Sequence, residues 1–280
     1  MNETLKRGIS GSIYVILLLV CIHFSKQSFF VLFGVFLLIS VFEFCKLIDF
    51  KSSLPFLFAS FLYGTYVYFL YNKLYIPEYL ENCFLIVTLI ISSRLIGFLF
   101  DKKELKVTTF LKIDFLLGYV IFPFLILSKI PFGQNNQYNP KIITGIFVII
   151  WTNDTFAYLV GKSFGTHKLF ERISPKKTIE GFIGGLFFAV LAGFLYSKYC
   201  INPTANFQSK SQLIWMVTGV LIGLFGTIGD LIESKFKRLA GVKDSGKIMP
   251  GHGGILDRLD SVIFVAPFIY LFYKILTYVS

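Results

Sequence analysis

Long uncharged runs recur along the chain and are separated by short polar segments. The clearest runs are Gly8–Ser25, Gln27–Phe42, Ser52–Asn72, Ile142–Asn153, Gly181–Ser197, Ser211–Gly229 and Ser261–Tyr273. A helix needs about 20 mostly apolar residues to cross roughly 30 Å of hydrocarbon, and most of these runs approach that length. Because open sheet edges leave backbone groups unsatisfied in lipid, the pattern predicts an all-α, polytopic membrane helix bundle.

We predict nine transmembrane helices, near 8–25, 27–45, 53–71, 83–100, 114–129, 141–160, 179–197, 212–231 and 261–279. The fifth is the weakest, since Asp114 and Pro123 interrupt its apolar core. Lys6 and Arg7 precede the first run as they would in a signal peptide, but no small-residue cleavage site follows. We therefore expect a retained anchor and a single membrane domain over 1–280.

Composition and charge support this interpretation and give it an orientation. The mean hydropathy is +0.71 and 15% of residues are charged, against about a quarter in soluble proteins. With a cytoplasmic N-terminus, 19 Lys and Arg residues fall in inner segments and six in outer loops, as the positive-inside rule predicts. The net charge of +11 is then mainly cytoplasmic, and some of it fixes the orientation and contacts anionic lipid headgroups. We expect no nucleic acid partner.

The four cysteines are scattered, without a CxxC motif or partner histidines. This spacing argues against a zinc site and against a disulfide framework. We interpret all four as structural.

Six carboxylates lie near the ends of predicted spans that the topology brings to the cytoplasmic face. They are Asp154, Glu180, Asp230, Glu233, Asp257 and Asp260. A carboxylate near hydrocarbon is costly unless it is paired or binds a metal, so such residues are functional candidates. The alternative is that each snorkels or pairs with a nearby lysine. For Glu180 and Glu233 that alternative is at least as good, whereas for Asp230 and Asp257 we favour function.

The segment 243–260 is charged and rich in glycine, directly before the last apolar run. Residues 250–254, Pro-Gly-His-Gly-Gly, cannot continue a helix and leave backbone N–H groups free, and a glycine-rich turn that opens a helix suits phosphate. Asp257 and Asp260, three apart, share a helix face. Cations accompany them: Lys176, Lys177, Lys237, Arg238, Lys243 and Arg258. The combination indicates a site for a phosphate chain with Mg²⁺, which takes one or two carboxylates plus phosphates.

Two further groups of residues have interpretations of their own. His252 is either a structural hydrogen-bonding residue, or a phosphate contact or general base. The cations of 101–112 have no glycine or paired acid beside them, so we assign them to topology alone.

The C-terminal half resembles a known family. The pattern Ser234-x-x-Lys237-Arg238-x-x-x-x-Lys243-Asp244, then Pro250-x-His252-Gly253-Gly254-x-x-Asp257-Arg258-x-Asp260, is similar to the signature of phosphatidate cytidylyltransferases, also called CDP-diacylglycerol synthases. The similarity continues upstream through residues 153–158, 174–181 and 229–230. Residues 1–130 match in hydropathy only, so 131–280 would be the catalytic half. Met249 and Glu171 depart from the family pattern.

The resemblance implies that CTP and phosphatidic acid give CDP-diacylglycerol and pyrophosphate, with Mg²⁺, in phospholipid biosynthesis. It implies a multi-pass protein of the cell (inner) membrane with a cytoplasmic site, and leaves room for K⁺ and a homodimer. Asp230, Asp257 and Asp154 would bind metal. Lys176, Lys177, Lys237 and Arg238 would neutralise the triphosphate, and His252 and Arg258 would hold the lipid phosphate. The other substrate-binding candidates are Ser234, Lys243, Asp244, Gly251, Gly253, Gly254 and Asp260.

Two other functions would also explain part of this arrangement of charged residues and membrane spans. A CTP-dependent polyprenol or phytol kinase would also bind CTP and a lipid substrate, but it would transfer the γ-phosphate of CTP. An ion-coupled transporter would place acids along a permeation path, and such proteins tend to show internal repeats with broken helices near the midplane. The sequence shows no convincing repeat, and its acids lie at one end of the spans.

Overall fold

The chain forms a helix bundle in a computed structural model that describes residues 3–101, 108–133, 137–201 and 208–279. Within these ranges, nine helical segments are long and apolar enough to cross a membrane, which confirms the predicted number. Lys102, Lys103 and Lys106, which we assigned to topology, lie outside the described residues.

The helices follow the order of the predicted spans. Their bounds are α1 Glu3–Phe24, α2 Lys26–Leu47, α3 Leu54–Tyr71, α4 Glu78–Phe100, α5 Thr109–Phe115, α6 Phe122–Lys129, α7 Pro140–Phe164, α8 Ile179–Tyr196, α9 Gln208–Leu221, α10 Thr227–Leu239 and α11 Leu256–Val279. The fifth span joins α5 to α6 through a π-helical turn, Leu116–Ile121, and the eighth joins α9 to α10 through another, Ile222–Gly226. A π turn also extends α8 over Ser197–Ile201, and a 3₁₀ turn, Ile130–Phe132, ends the fifth span.

The residues that weakened the fifth predicted span are accommodated within it. Asp114 forms an ion pair with Arg94 of α4, with Nη1 and Oδ2 2.5 Å apart. Pro123 lies in the first turn of α6, directly after the π turn, where a missing N–H is tolerated. The span is therefore continuous, although its backbone changes helix type.

Several helices extend beyond their predicted bounds, and two of the extensions carry candidate residues. The eighth span continues to Leu239, so Asp230 lies within α10 and not at the end of the span. The ninth begins at Leu256, which places Asp257 and Asp260 in the first turns of α11. The span prediction did not include these turns, because their charged residues lower the local hydropathy.

A small antiparallel hairpin between α7 and α8 was not predicted. Strands β1 (Lys168–Phe170) and β2 (Ser174–Thr178) pair Lys168 with Thr178 and Phe170 with Ser174. Thr178 then caps α8, because its Oγ1 accepts a hydrogen bond from the Gly181 N–H at 3.1 Å. The hairpin thus sets the position of the lysines on β2 relative to the bundle.

Glycine lets α8 and α9 approach closely. A Cβ at Gly193 of α8 would collide with the carbonyl of Trp215 in α9, and one at Gly219 would collide with the carbonyl of Ala189. Small residues at such crossings allow backbone contact, which stabilises helix association in lipid.

This packing predicts that Gly193→Ala is destabilising. Because the methyl group would press on backbone, which cannot rotate away, we expect a loss of about 1–3 kcal/mol and a lower midpoint of thermal unfolding in detergent micelles. Gly64→Ala in α3 is the matched control, since nothing lies within 4 Å of a Cβ there. Its midpoint should stay the same or rise, because alanine favours helix. Equal midpoints for the two variants would contradict the proposed contact.

Candidate active site

One face of α10 gathers polar side chains at one end of the bundle. Asp230, Glu233, Ser234 and Lys237 are three or four residues apart and share that face. The Ser234 hydroxyl donates to Asp230 Oδ1 at 3.3 Å. Opposite them, α11 contributes Asp260, and one carboxylate oxygen each from Asp230, Glu233 and Asp260 lies within 4.8 Å of the others. We call these three residues the carboxylate cluster.

Lysines compensate the negative charge of this region. Lys177 on β2 lies with its Nζ 2.5 Å from Asp230 Oδ2. Lys237 contacts Glu233 one helical turn earlier and donates to Asp257 Oδ1 at 2.7 Å. The Glu233 and Asp257 side chains are 1% and 4% exposed, so each needs this cation.

Asp257 organises the glycine-rich loop. Its Oδ2 accepts hydrogen bonds from the Ser245 backbone N–H (2.8 Å), the Ser245 hydroxyl (2.9 Å) and the Gly254 N–H (2.7 Å). Gly251 and Gly253 adopt positive φ angles, +77° and +85°, which other residues rarely adopt. The backbone conformation of this loop therefore depends on both the carboxylate and the glycines.

The carboxylate cluster has the chemistry of a divalent cation site. Glu233 Oε1 is buried and has no hydrogen-bond partner among the described residues. The same is true of the Tyr119 hydroxyl, which is close enough to Glu233 and Asp260 to be affected by their charges. A buried carboxylate oxygen without a partner is costly, and an oxygen-seeking cation such as Mg²⁺ would satisfy it. Asp154 lies within the electrostatic reach of Asp230. The residues therefore fit a metal ion.

The structure groups the predicted metal ligands differently from the sequence analysis. Asp230 and Asp257 come to the same end of the bundle, but Glu233 and Asp260 are the carboxylates beside Asp230. Asp257 instead faces Lys237 and the loop. The assignment of a metal to Asp230, Asp257 and Asp154 stays a prediction.

Glu233 pairs with a lysine, as the alternative interpretation expected, whereas the partners of Glu180 are Thr166 and His167. Glu233 contacts Lys237, and Glu180 accepts hydrogen bonds from the Thr166 hydroxyl at 2.6 Å and from the His167 backbone N–H at 3.1 Å. Glu180 thus fixes the entry to the hairpin and is not in the carboxylate cluster.

Other predicted residues lie outside the carboxylate cluster. Arg238 donates to the carbonyls of Ile173 (Nε, 3.4 Å) and Val242 (Nη1, 3.3 Å), so it ties the hairpin to α10. His252 contacts Ser10 of α1, with Nδ1 and Oγ 2.7 Å apart. Four predicted residues are exposed, and we call them the rim residues: Lys176, Lys243, Asp244 and Arg258.

Sequence reasoning missed Glu43, a buried acid of α2. Its Oε1 accepts from the Ile255 N–H at 3.2 Å, and its Oε2 accepts from the Leu256 N–H at 2.8 Å and the Ser245 hydroxyl at 3.2 Å. A carboxylate at this point accepts hydrogen bonds from the N–H groups that begin α11. Its negative charge is also attracted to the positive end of the α11 dipole. Its position in the sequence could have indicated this role, because Glu43 is the one acid within the second predicted span, 27–45.

Comparison with known proteins identifies the family of the chain. The sequence profile of the Cytidylyltransferase family matches residues 5–276, nearly the whole chain. The chain belongs to the cytidylyltransferase family.

Relatives within the cytidylyltransferase family include proteins named phosphatidate cytidylyltransferase. The one from Staphylococcus aureus is 54% identical over 123 residues, which are 43% of this chain and 44% of the relative. The one from Staphylococcus epidermidis is 47% identical over 136 residues, 49% of this chain and 50% of the relative. The chain thus spans half or less of the length of these relatives.

The contacts of Glu43 predict that Glu43→Gln weakens the loop. Glutamine keeps the size of the side chain but turns an amide NH₂ toward backbone donors, which leaves one of them unsatisfied. We expect a loss of about 1–3 kcal/mol in the free energy of unfolding and faster proteolysis within 240–255. Glu171→Gln, at an exposed acid of the hairpin, is the matched control and should change neither. Identical proteolysis of the two variants would show that Glu43 does not hold the loop.

Proposed function

We propose that this protein transfers the cytidylyl group of CTP to phosphatidic acid and releases CDP-diacylglycerol and pyrophosphate. The observation that carries the proposal is the convergence of the carboxylate cluster with Lys177 and Lys237 at one end of a membrane helix bundle. Family membership and the relatives' names support the same reaction.

The reaction requires two anions to approach each other, and the proposed site reduces their repulsion. Positioning and charge neutralisation account for most of the catalysis in phosphoryl-type transfer. Lys177 and Lys237 provide fixed positive charge, and Arg258 adds more at the rim. The N–H groups at the start of α11 are already bonded to Glu43, so the predicted phosphate seat there is not free. Gly251 and Gly253, which have no side chain, still allow backbone to come close to a phosphate.

A divalent cation completes the charge balance in this proposal. Asp230, with Glu233 and Asp260 beside it, would hold Mg²⁺, which neutralises phosphate charge when bound. Asp154 and Asp257 remain candidates for a second ion such as K⁺.

The position of the site explains how both substrates reach it. Phosphatidic acid stays in the bilayer and would enter sideways between helices, whereas CTP would arrive from water. We place this end of the bundle on the cytoplasmic side of the cell membrane, because the cationic segments lie there under the positive-inside rule. A homodimer stays a prediction.

Product analysis tests the reaction. Purified protein with CTP, Mg²⁺ and phosphatidic acid should yield CDP-diacylglycerol and pyrophosphate in equal amounts. Release of CDP with a polyprenol or phytol acceptor would instead favour the kinase. Substrate flux in vesicles without any lipid product would favour the transporter.

Asp257→Asn should abolish most turnover, because it removes the charge that holds Lys237 and the acceptor that orders the loop. We expect a loss of at least about 10²-fold in kcat, measured by pyrophosphate release, with the unfolding midpoint recorded alongside. Lys106→Gln, which changes a cation assigned to topology, should leave turnover nearly unchanged. Full activity of Asp257→Asn would contradict the proposed role, and a large loss in Lys106→Gln would show that its cation was misassigned.

A further inference from the structure

The first helix packs against the glycine-rich loop and holds the His252 ring. Ser10 Oγ lies 2.7 Å from His252 Nδ1 and 2.9 Å from the Pro250 carbonyl oxygen. One residue further on, a Cβ at Gly11 would lie only 3.3 Å from His252 Cε1, so the ring sits directly on α1. The position of the imidazole is therefore set by a serine 242 residues away in the sequence.

The hydrogen-bond geometry selects one tautomer of His252. A serine hydroxyl has a single hydrogen to donate, and the Pro250 carbonyl can only accept. If that hydrogen pointed at Nδ1, two oxygens would stand 2.9 Å apart with no hydrogen between them. Donation to Pro250 instead leaves the Ser10 oxygen free to accept from Nδ1–H. The arrangement that satisfies all three groups protonates Nδ1, so a neutral ring carries its lone pair on Nε2.

Nε2 is free to act on a substrate, since it has no hydrogen-bond partner among the described residues. We propose that Ser10 holds His252 as the Nδ1–H tautomer, and that Nε2 accepts the proton of the attacking phosphate monoester. The second half rests on the proposed function, whereas the tautomer does not. In this role His252 would be a catalytic residue and Ser10 a positioning residue.

The charges around the ring favour its neutral form. Burial lowers the pKa of His252, and the positive charges of Arg258 on α11 and Arg7 on α1 lower it further. A neutral ring offers a lone pair and not a positive charge, so it suits proton acceptance better than anion binding.

The step balances in atoms and electrons. A phosphate monoester has a second pKa near 6, so part of it still carries a P–O–H group at neutral pH. That proton moves to Nε2, and the freed oxygen forms a bond to the α-phosphorus of CTP. The bond from the α-phosphorus to the bridging oxygen breaks, and pyrophosphate leaves with the electron pair. The imidazolium then returns its proton to water.

Nitrogen-15 NMR of histidine-labelled protein in lipid tests the tautomer without any substrate. The chain has three histidines, and His252→Gln identifies the signals of this one. We expect a protonated Nδ1 and a bare Nε2 at pH 7, both in the wild type and in Ser10→Thr, which keeps the hydroxyl. Ser10→Ala should show both tautomers. A protonated Nε2 in the wild type, whether as the other tautomer or as imidazolium, would overturn the proposal.

Kinetics test the proton transfer. We expect about a tenfold lower kcat in Ser10→Ala with an unchanged KM for CTP, near-normal kcat in Ser10→Thr, and a loss of about 10²-fold in His252→Gln. Wild-type activity should fall as pH drops through the pKa of His252, with an acid limb below the ordinary histidine value of about 6.5.

Ser60→Ala is the matched control, because Ser60 is an exposed serine of α3 that bonds only within its own helix. It should keep full kcat. An equal loss in Ser10→Thr, or full kcat in Ser10→Ala, would reject the positioning role. If the wild type forms no CDP-diacylglycerol, the proposed function fails, and the wild-type spectrum still decides the tautomer.

Discussion

The sharing of lysine charge among carboxylates, largely buried around Lys237 and half-buried at Lys177, is the constraint on which this end of the bundle depends. Lys237 forms ion pairs with both Glu233 and Asp257, and Lys177 forms one with Asp230. Removing one partner from such a pair leaves an uncompensated charge, which is far more costly than the pair is stabilising. Three separate elements, β2, α10 and α11, are thereby held in one arrangement.

A second set of contacts connects the N-terminal helices to the same place. Glu43 of α2 accepts from the first N–H groups of α11, and Ser10 of α1 contacts His252 and Pro250. The glycine-rich loop is therefore fixed from both halves of the chain. This explains why a protein whose recognisable motifs lie after residue 150 has a candidate site that its first two helices complete.

Two of the departures from regular α-helix are connected with the candidate site. The turn Leu116–Ile121 carries Tyr119, whose buried hydroxyl the charges of Glu233 and Asp260 reach. The turn Ile222–Gly226 leads directly into α10, which carries the polar face. A π turn widens the helix and shifts the face that follows it, and such turns are frequent at functional sites. Aromatic packing surrounds them, with Phe44 and Tyr119 both against Phe236.

The sequence by itself determined the class of fold, the number of spans and the end of the bundle at which the acids gather, because hydropathy and chain length act locally along the chain. The motif around Asp257 also sufficed for the family. Only the tertiary structure decided that Glu233 and Asp260 accompany Asp230, that Asp257 turns toward Lys237, and that Glu43 and Ser10 belong to the site. These pairings depend on which helices are neighbours and how each is rotated about its axis, and neither quantity is encoded in local hydropathy or spacing.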